Sequence, residues 1–273
     1  MAVKRTDYTA EAVEAARRVL LELTRLLGEY HDGIVIVGGW VPELLMGDVN
    51  QPHIGSLDVD LALDHRMLGD TGYRTILQLL HSRHYLQGDQ PFIFYRSIQV
   101  GDRTYSVEVD FLAGEYAGTT SSHRTQRVQS MHPRKARGCD LVFDLATEVS
   151  LSGTLPGGGK DSVRIRVASI VPFLVMKAMA LTNRLMEKDA WDIYYCIRNY
   201  PGGIPHLAKE FHPMLKNNLV QEALNYIAEK FASPDHIGPI QVADFEGITN
   251  TEERALLQRD AFERVNMLLE LLR

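Results

Sequence analysis

Residues 57–63, LDVDLAL, alternate apolar and polar positions with a period of two, and residues 105–112, YSVEVDFL, do the same. In an extended chain residues i and i+2 share a face. Leu57, Val59 and Leu61 therefore form an apolar face, and Asp58 and Asp60 project side by side from the other. Tyr105, Val107, Val109 and Phe111 stand in the same way opposite Ser106, Glu108 and Asp110. Such strands demand a sheet with one face on a core and the other carrying acids. Two carboxylates this close repel, raising each other's pKa unless a cation sits between them. The pair suits a hard divalent ion, and Mg²⁺ takes one or two carboxylates plus phosphate oxygens and water. If the strands pair, three carboxylates converge, enough to hold two Mg²⁺ ions for in-line attack on a nucleotide phosphate.

The surrounding pattern is mixed. Residues 8–30 read as an amphipathic helix, with Val13, Ala16, Val19, Leu20 and Leu23 on one stripe. Ile34 to Val37 is a short apolar strand, broken by Gly38-Gly39 before a short helix over 40–46. A helix over 73–85 precedes two strands, 91–100 and 104–112, joined by Gly101-Asp102. Strands over 141–150 and 162–167 flank the turn-rich GTLPGGGKD. From Ser169 the pattern is helical, over 169–199, 203–231 with a break, and 251–273. The predicted class is α/β (α+β), with a mixed-sheet domain over 1–168 and a helical domain over 169–273.

Composition narrows the function. The chain has 273 residues, 45% of them hydrophobic, and a formal net charge of −6. It can bury a sizeable core, and its acidic balance argues against coating nucleic acid through bulk charge. Two cysteines, Cys139 and Cys196, lack metal-type or redox-type spacing, which points to a reducing compartment. No stretch approaches the roughly 20 apolar residues of a membrane span, and the expectation is a cytoplasmic protein.

Gly38-Gly39 bears on the acids. A double glycine after a buried strand lets backbone approach a ligand closely, and the next helix offers free N–H groups to phosphates. The order strand, GG, short helix, D-x-D strand resembles the signature of the polymerase-beta-type nucleotidyltransferase superfamily. GGWVPELL followed by SLDVDLAL more particularly resembles the AbiEii/AbiGii toxin family of minimal nucleotidyltransferases, and also aminoglycoside nucleotidyltransferases. The resemblance implies that Gly38 and Gly39 cradle the triphosphate, that Asp58 and Asp60 bind Mg²⁺ (or Mn²⁺), and that Asp110 supplies the third carboxylate. Glu108 shares that face and is the alternative third ligand. The gap from Gly39 to Asp58 is longer than the commonest spacing of the superfamily, the excess lying in GDVNQPHIGS. His53 and Ser56 of that loop are expected to border the metal site.

A second motif lies downstream. In FLVMKAMALTNRLMEKDAWDIYY, Lys177, Arg184, Lys188 and Asp192 follow at intervals of seven, four and four, one side of a single helix. On pattern alone this is equally an exposed face stitched by charge pairs. The pattern is similar to the helix motif of the AbiEii-like family. That resemblance implies basic residues facing the nucleotide phosphates across a cleft, with Lys188 and Asp189 the preferred members and Lys177 and Arg184 behind them.

Residues 121–138 concentrate Arg124, Arg127, Arg134, Lys135 and Arg137 with His123 and His132, and could hold an RNA backbone or nucleotide phosphates as readily as form a solvated loop. PGGGKD fails as a phosphate loop and reads as a hairpin turn. The histidines lack zinc spacing, and Trp40 and Trp191 are expected to pack rather than stack on a base. The expected reaction transfers a nucleoside monophosphate from an NTP to an acceptor hydroxyl. Asp110 would act in deprotonating the acceptor, and Lys188 in neutralising developing charge. The AbiEii-like resemblance implies a tRNA or protein acceptor and an antitoxin partner. A small-molecule acceptor, and a non-catalytic nucleotide-binding protein, are the alternatives.

Overall fold

The computed structural model describes residues 4–47, 49–115, 131–184 and 186–273, with the side chains of 69–75 outside the description. The chain divides into two compact units. The sheet unit comprises Tyr8–Leu45 and Gly55–Ser169, and the helical unit Met1–Asp7, Met46–Ile54 and Ile170–Arg273.

The sheet unit opens with α1 (Ala10–Leu26), capped by the Thr9 side chain, which accepts from the Ala12 N–H. Then come β1 (Ile34–Val37), a 3-10 turn over Gly38–Trp40, α2 (Val41–Leu45), β2 (Asp58–Leu63) and α3 (His65–Ser82). β3 (Leu86–Gln87), β4 (Ile93–Val100), β5 (Arg103–Ala113) and β6 (Arg134–Lys135) follow, then α4 (Asp140–Asp144), β7 (Ala146–Thr154) and β8 (Lys160–Ala168). Among the described residues the strands form one mixed sheet in the order β3-β4-β5-β2-β1-β8-β7, with β6 paired to β5. β2 runs antiparallel to β1 and parallel to β5. Leu23 of α1 and Leu27 just after it share a small apolar pocket with Ile34, Ile36, Leu61 and Ile165, so α1 covers the face that bears Leu61. Asp58 and Asp60 of β2, an odd number of residues from Leu61, occupy the opposite face.

Two expectations shift here. α3 begins at His65 rather than 73, because the Asp64 side chain caps it by accepting from the Arg66 N–H at 2.9 Å. The expected strand 141–150 starts as a helical turn, α4, in which Leu141, Val142 and Phe143 are all buried. A run of consecutive buried residues lacks the alternation that marks a strand, and a turn of helix accommodates it equally well. The GTLPGGGKD hairpin is as expected, with the Leu155 N–H donating to the Gly159 carbonyl at 2.7 Å.

The helical unit contains α5 (Ile170–Arg184), α6 (Glu187–Asn199), α7 (Ile204–Phe211), α8 (Asn218–Lys230), α9 (Ile237–Glu246) and α10 (Thr251–Leu271). The helix expected over 169–199 is two helices, separated where Met186 takes an extended backbone before α6. α9 escaped the sequence reading for a physical reason. Gly238, Pro239, Gln241, Val242, Ala243 and Phe245 are all buried, so no single stripe stands out. None of the helices among the described residues is long and apolar enough to cross a membrane.

Candidate functional site

The register of β2 and β5 brings the sheet acids together. Asp58 lies beside Glu108, and Asp60 beside Asp110. Residues side by side in a parallel pair point to the same face, so four carboxylates share one patch of the sheet. The strands' other face, with Val59, Leu61, Val109 and Phe111, is buried and fixes this orientation.

Each acid has its own setting. The Ser56 hydroxyl donates to Asp58 Oδ1 at 2.5 Å, and Trp40 Nε1 donates to the Asp58 carbonyl oxygen at 2.7 Å. Trp40 is buried, as a packing residue, and it ties the turn after β1 to the start of β2. Asp60 lies against Gly38. Gly38 has φ +69°, and a Cβ built there would sit 1.8 Å from Asp60 Oδ2. Backbone and carboxylate can approach this closely only because residue 38 has no side chain. Gly39 follows in the same turn and is buried. Glu108 accepts from the Tyr95 hydroxyl at 3.0 Å at the exposed end of the patch. Asp110 is buried, and Arg134 Nη2 donates to its Oδ2 at 2.6 Å.

Asp110 Oδ1 is buried and has no hydrogen-bond partner among the described residues. Burial pushes the Asp110 pKa up, Arg134 pulls against it, and Glu108 and Asp58 push it further. Among the described residues no three His, Cys, Asp or Glu side chains stand as a group ready to hold a metal ion. The donor set nevertheless fits a hard cation. It is all oxygen, it carries an unsatisfied buried carboxylate atom, and Mg²⁺ needs only one or two protein carboxylates when phosphate and water complete its shell.

The second group of predicted residues lies in the helical unit, as an internally paired cluster. Lys177 Nζ donates to Asp189 Oδ1 at 2.9 Å and lies 2.7 Å from Asp192 Oδ2. Arg184 grips Asp189 with two nitrogens, at 2.8 and 2.9 Å. Lys188 reaches both oxygens of Asp192, at 3.1 and 3.2 Å. Because the helix breaks after Arg184, Lys177 meets Asp189 and Asp192 from a separate helix rather than along one face. Burial disfavours the charge on Lys177, yet Asp189 and Asp192 outweigh it and raise its pKa. Burial likewise works against the Asp192 charge, and Lys177 and Lys188 overcome it, holding its pKa far below the carboxylate range.

Sequence reasoning missed His53 as a member of this cluster. Its Nε2 lies 2.9 Å from Asp192 Oδ1, and its ring packs between Trp191 and Tyr195, at centroid distances of 5.1 and 4.8 Å. Tyr195 also donates to the Gln51 carbonyl at 2.6 Å, fastening 46–54 to α6. His53 thus belongs to the helical unit, beside Asp192, and Ser56 to the sheet unit, where it meets Asp58. Burial lowers the His53 pKa to about 4, with Lys188 and Lys177 helping and Asp192 opposing. Trp191 is a packing residue too, its Nε1 donating to Glu246 Oε1 at 2.6 Å.

Of the basic stretch, His123, Arg124 and Arg127 lie outside the described residues. Arg134 and Lys135 form β6, and Arg137 lies 3.4 Å from Glu115.

No family model and no curated protein matches the chain. Among solved structures, the chain is similar to the crystal structure of an antigenic nucleotidyltransferase-like protein from Paracoccidioides brasiliensis, at a TM-score of 0.43 and 18% identity, over 80% of this chain and 89% of that one. Likeness at this level assigns neither chemistry nor residues.

Proposed function

We propose that the chain is a nucleotidyltransferase that moves a nucleoside monophosphate from an NTP to an acceptor hydroxyl and releases pyrophosphate. The observation that carries this reading is the parallel register that sets Asp58 and Asp60 beside Glu108 and Asp110, with the Gly38 backbone pressed on the Asp60 carboxylate. Asp58 and Asp60 would hold Mg²⁺ or Mn²⁺, and Asp110 is the third ligand. Asp110 is favoured over Glu108 because it is buried, aligned with Asp60 and left with an unsatisfied oxygen, whereas Glu108 is held by Tyr95. The bound cation supplies charge neutralisation on the triphosphate and lowers the barrier to oxygen attack at phosphorus.

The chain's own groups would do the rest. Ser56 and Trp40 fix the Asp58 carboxylate and backbone in place, limiting the reorganisation needed when substrate binds. Gly38 and Gly39 bring backbone N–H groups to phosphate oxygens. Nucleotide binding by Lys177, Arg184, Lys188 and Asp189 rests on the family resemblance, since each of these side chains already takes part in the buried cluster.

The test is pyrophosphate release with each NTP in the presence of Mg²⁺. Asp58→Ala and Asp60→Ala should abolish it, and equal release by the variants would end the proposal. For the acceptor, the AbiEii-like resemblance supports a tRNA or a protein. Growth arrest on expression, relieved by Asp60→Ala, is the corresponding measurement.

A further inference from the structure

Arg134 entered the sequence reading only as one cation of a basic stretch. Its place in the sheet is specific. β4 pairs with β5 from Arg103 up to Asp110 and ends there, and β6 continues along β5 at Leu112 and Ala113. Arg134 pairs with Leu112, two residues beyond Asp110 and on the same face, so its side chain reaches back over the acidic patch. The guanidinium stacks 5.9 Å from the centre of the Phe92 ring and donates through Nη2 to Asp110 Oδ2. The aromatic face and the carboxylate together hold it in one orientation.

This contact stands against metal binding. A carboxylate oxygen that accepts a charge-assisted hydrogen bond is a poorer ligand, and a fixed positive charge on Asp110 repels a divalent ion approaching it. The other oxygen, Oδ1, is buried without a hydrogen-bond partner among the described residues, so Asp110 is only half satisfied by Arg134. A buried carboxylate in that state gains from a second cation.

We propose that Arg134 is a competitor for the metal built into the sheet: it holds Asp110 out of the ligand set, and Asp110 joins Asp58 and Asp60 only when Arg134 lets go. This inference rests on the nucleotidyltransferase reading, because it takes Asp58 and Asp60 as the metal pair. Arg134 is then a positioning residue that acts through Asp110. It sets the metal concentration at which the site assembles, and it keeps the acids from repelling one another while the site is open.

Mn²⁺ binding, followed by electron paramagnetic resonance without nucleotide, separates the two claims. Wild-type protein should bind Mn²⁺ in a manner lost in Asp58→Ala. Arg134→Gln should bind it roughly tenfold or more tightly, the size expected when one nearby charge is removed. Arg134→Lys should stay near wild type, and the gain should vanish in Arg134→Gln/Asp110→Asn. A second readout needs no change at Arg134. Phenylglyoxal should modify Arg134 of the wild-type protein faster when Mn²⁺ is present, and fast without Mn²⁺ in Asp110→Asn, as mapped by mass spectrometry. Asp58-dependent binding that Arg134→Gln leaves unchanged, or labelling of Arg134 indifferent to Mn²⁺, overturns the inference and spares the metal site. Mn²⁺ binding indifferent to Asp58→Ala overturns the reading beneath it.

Discussion

Acidification from pH 7.5 to 4.5 singles out His53. Folded, its imidazole has a pKa of about 4, against about 6.5 in an unfolded chain. Burial is the main cause, and the groups that face the ring complete the balance: Lys188 and Lys177 oppose a further positive charge, and Asp192 favours it. Below pH 6.5 the unfolded chain takes up this proton while the folded chain does not. A histidine with a depressed pKa therefore contributes stability that is full above about pH 6.5 and falls away as the pH drops toward 4. At about 1.4 kcal/mol per pKa unit, the loss by pH 4.5 is about 2 to 3 kcal/mol. Asp189 and Asp192 do not interfere. Their pKa values are lowered from 3.8, so the stability they contribute is present above that value and declines only below it. Urea unfolding of wild type and His53→Gln at both pH values isolates the effect, because glutamine keeps an amide donor for Asp192 and does not titrate. Wild type should lose about 2 to 3 kcal/mol more than the variant. Equal losses in the two proteins would refute the account of His53.

Other outcomes follow from the same contacts. Asp189→Ala leaves buried Lys177 with Asp192 as its remaining carboxylate and should destabilise the helical unit by about 1.5 to 3 kcal/mol in urea, with Asp189→Asn milder because it keeps an acceptor. In Gly38→Ala the left-handed backbone alone is worth about 1 to 2 kcal/mol, and the new Cβ must also displace the Asp60 carboxylate. A lower melting temperature and weaker Mn²⁺ binding are expected together, and a variant that melts and binds like wild type would contradict the close approach. Cys139 and Cys196 are buried with thiol pKa values pushed up by burial, so neither should react with a disulfide reagent until urea is added. A rapid reaction in the native protein would count against their placement.

The acidic strands were legible because alternation is a local property. Asp58, Asp60, Glu108 and Asp110 show their shared face from spacing alone, and pairing adds only the register that sets Asp60 beside Asp110. The helical segment was legible in content and misread in form. Lys177, Arg184, Lys188 and Asp192 have helical spacing, yet the helix stops at Arg184, and their contacts come from the packing of α5 on α6. His53 and Arg134 were illegible for a related reason. Each bonds a carboxylate distant in sequence, Asp192 at 139 residues and Asp110 at 24, and no local pattern encodes such a partner. Arg134 moreover sat in a basic run whose composition reads as a solvated loop.

The two charge clusters differ in how their oxygens are satisfied, and that difference separates a structural role from a ligand-binding one. In the helical unit, Asp189 is met by Lys177 and Arg184, and Asp192 by Lys177, Lys188 and His53, on both oxygens in each case. Cations already surround these acids, so a further cation would be repelled. His53 records that balance by staying neutral. On the sheet, Asp58 is met by the Ser56 hydroxyl and Glu108 by the Tyr95 hydroxyl, neutral donors that orient a carboxylate without cancelling its charge. Asp110 has Arg134 on one oxygen and, among the described residues, no hydrogen-bond partner on the other. Side-by-side carboxylates held by neutral donors keep their mutual repulsion, and a divalent cation relieves it more effectively than a proton on any one of them. Replacing Ser56 with alanine should therefore loosen Asp58 and weaken Mn²⁺ binding while leaving urea stability within about 1 kcal/mol. A Ser56→Ala protein that binds Mn²⁺ as tightly as wild type would show that the hydroxyl does not orient the ligand.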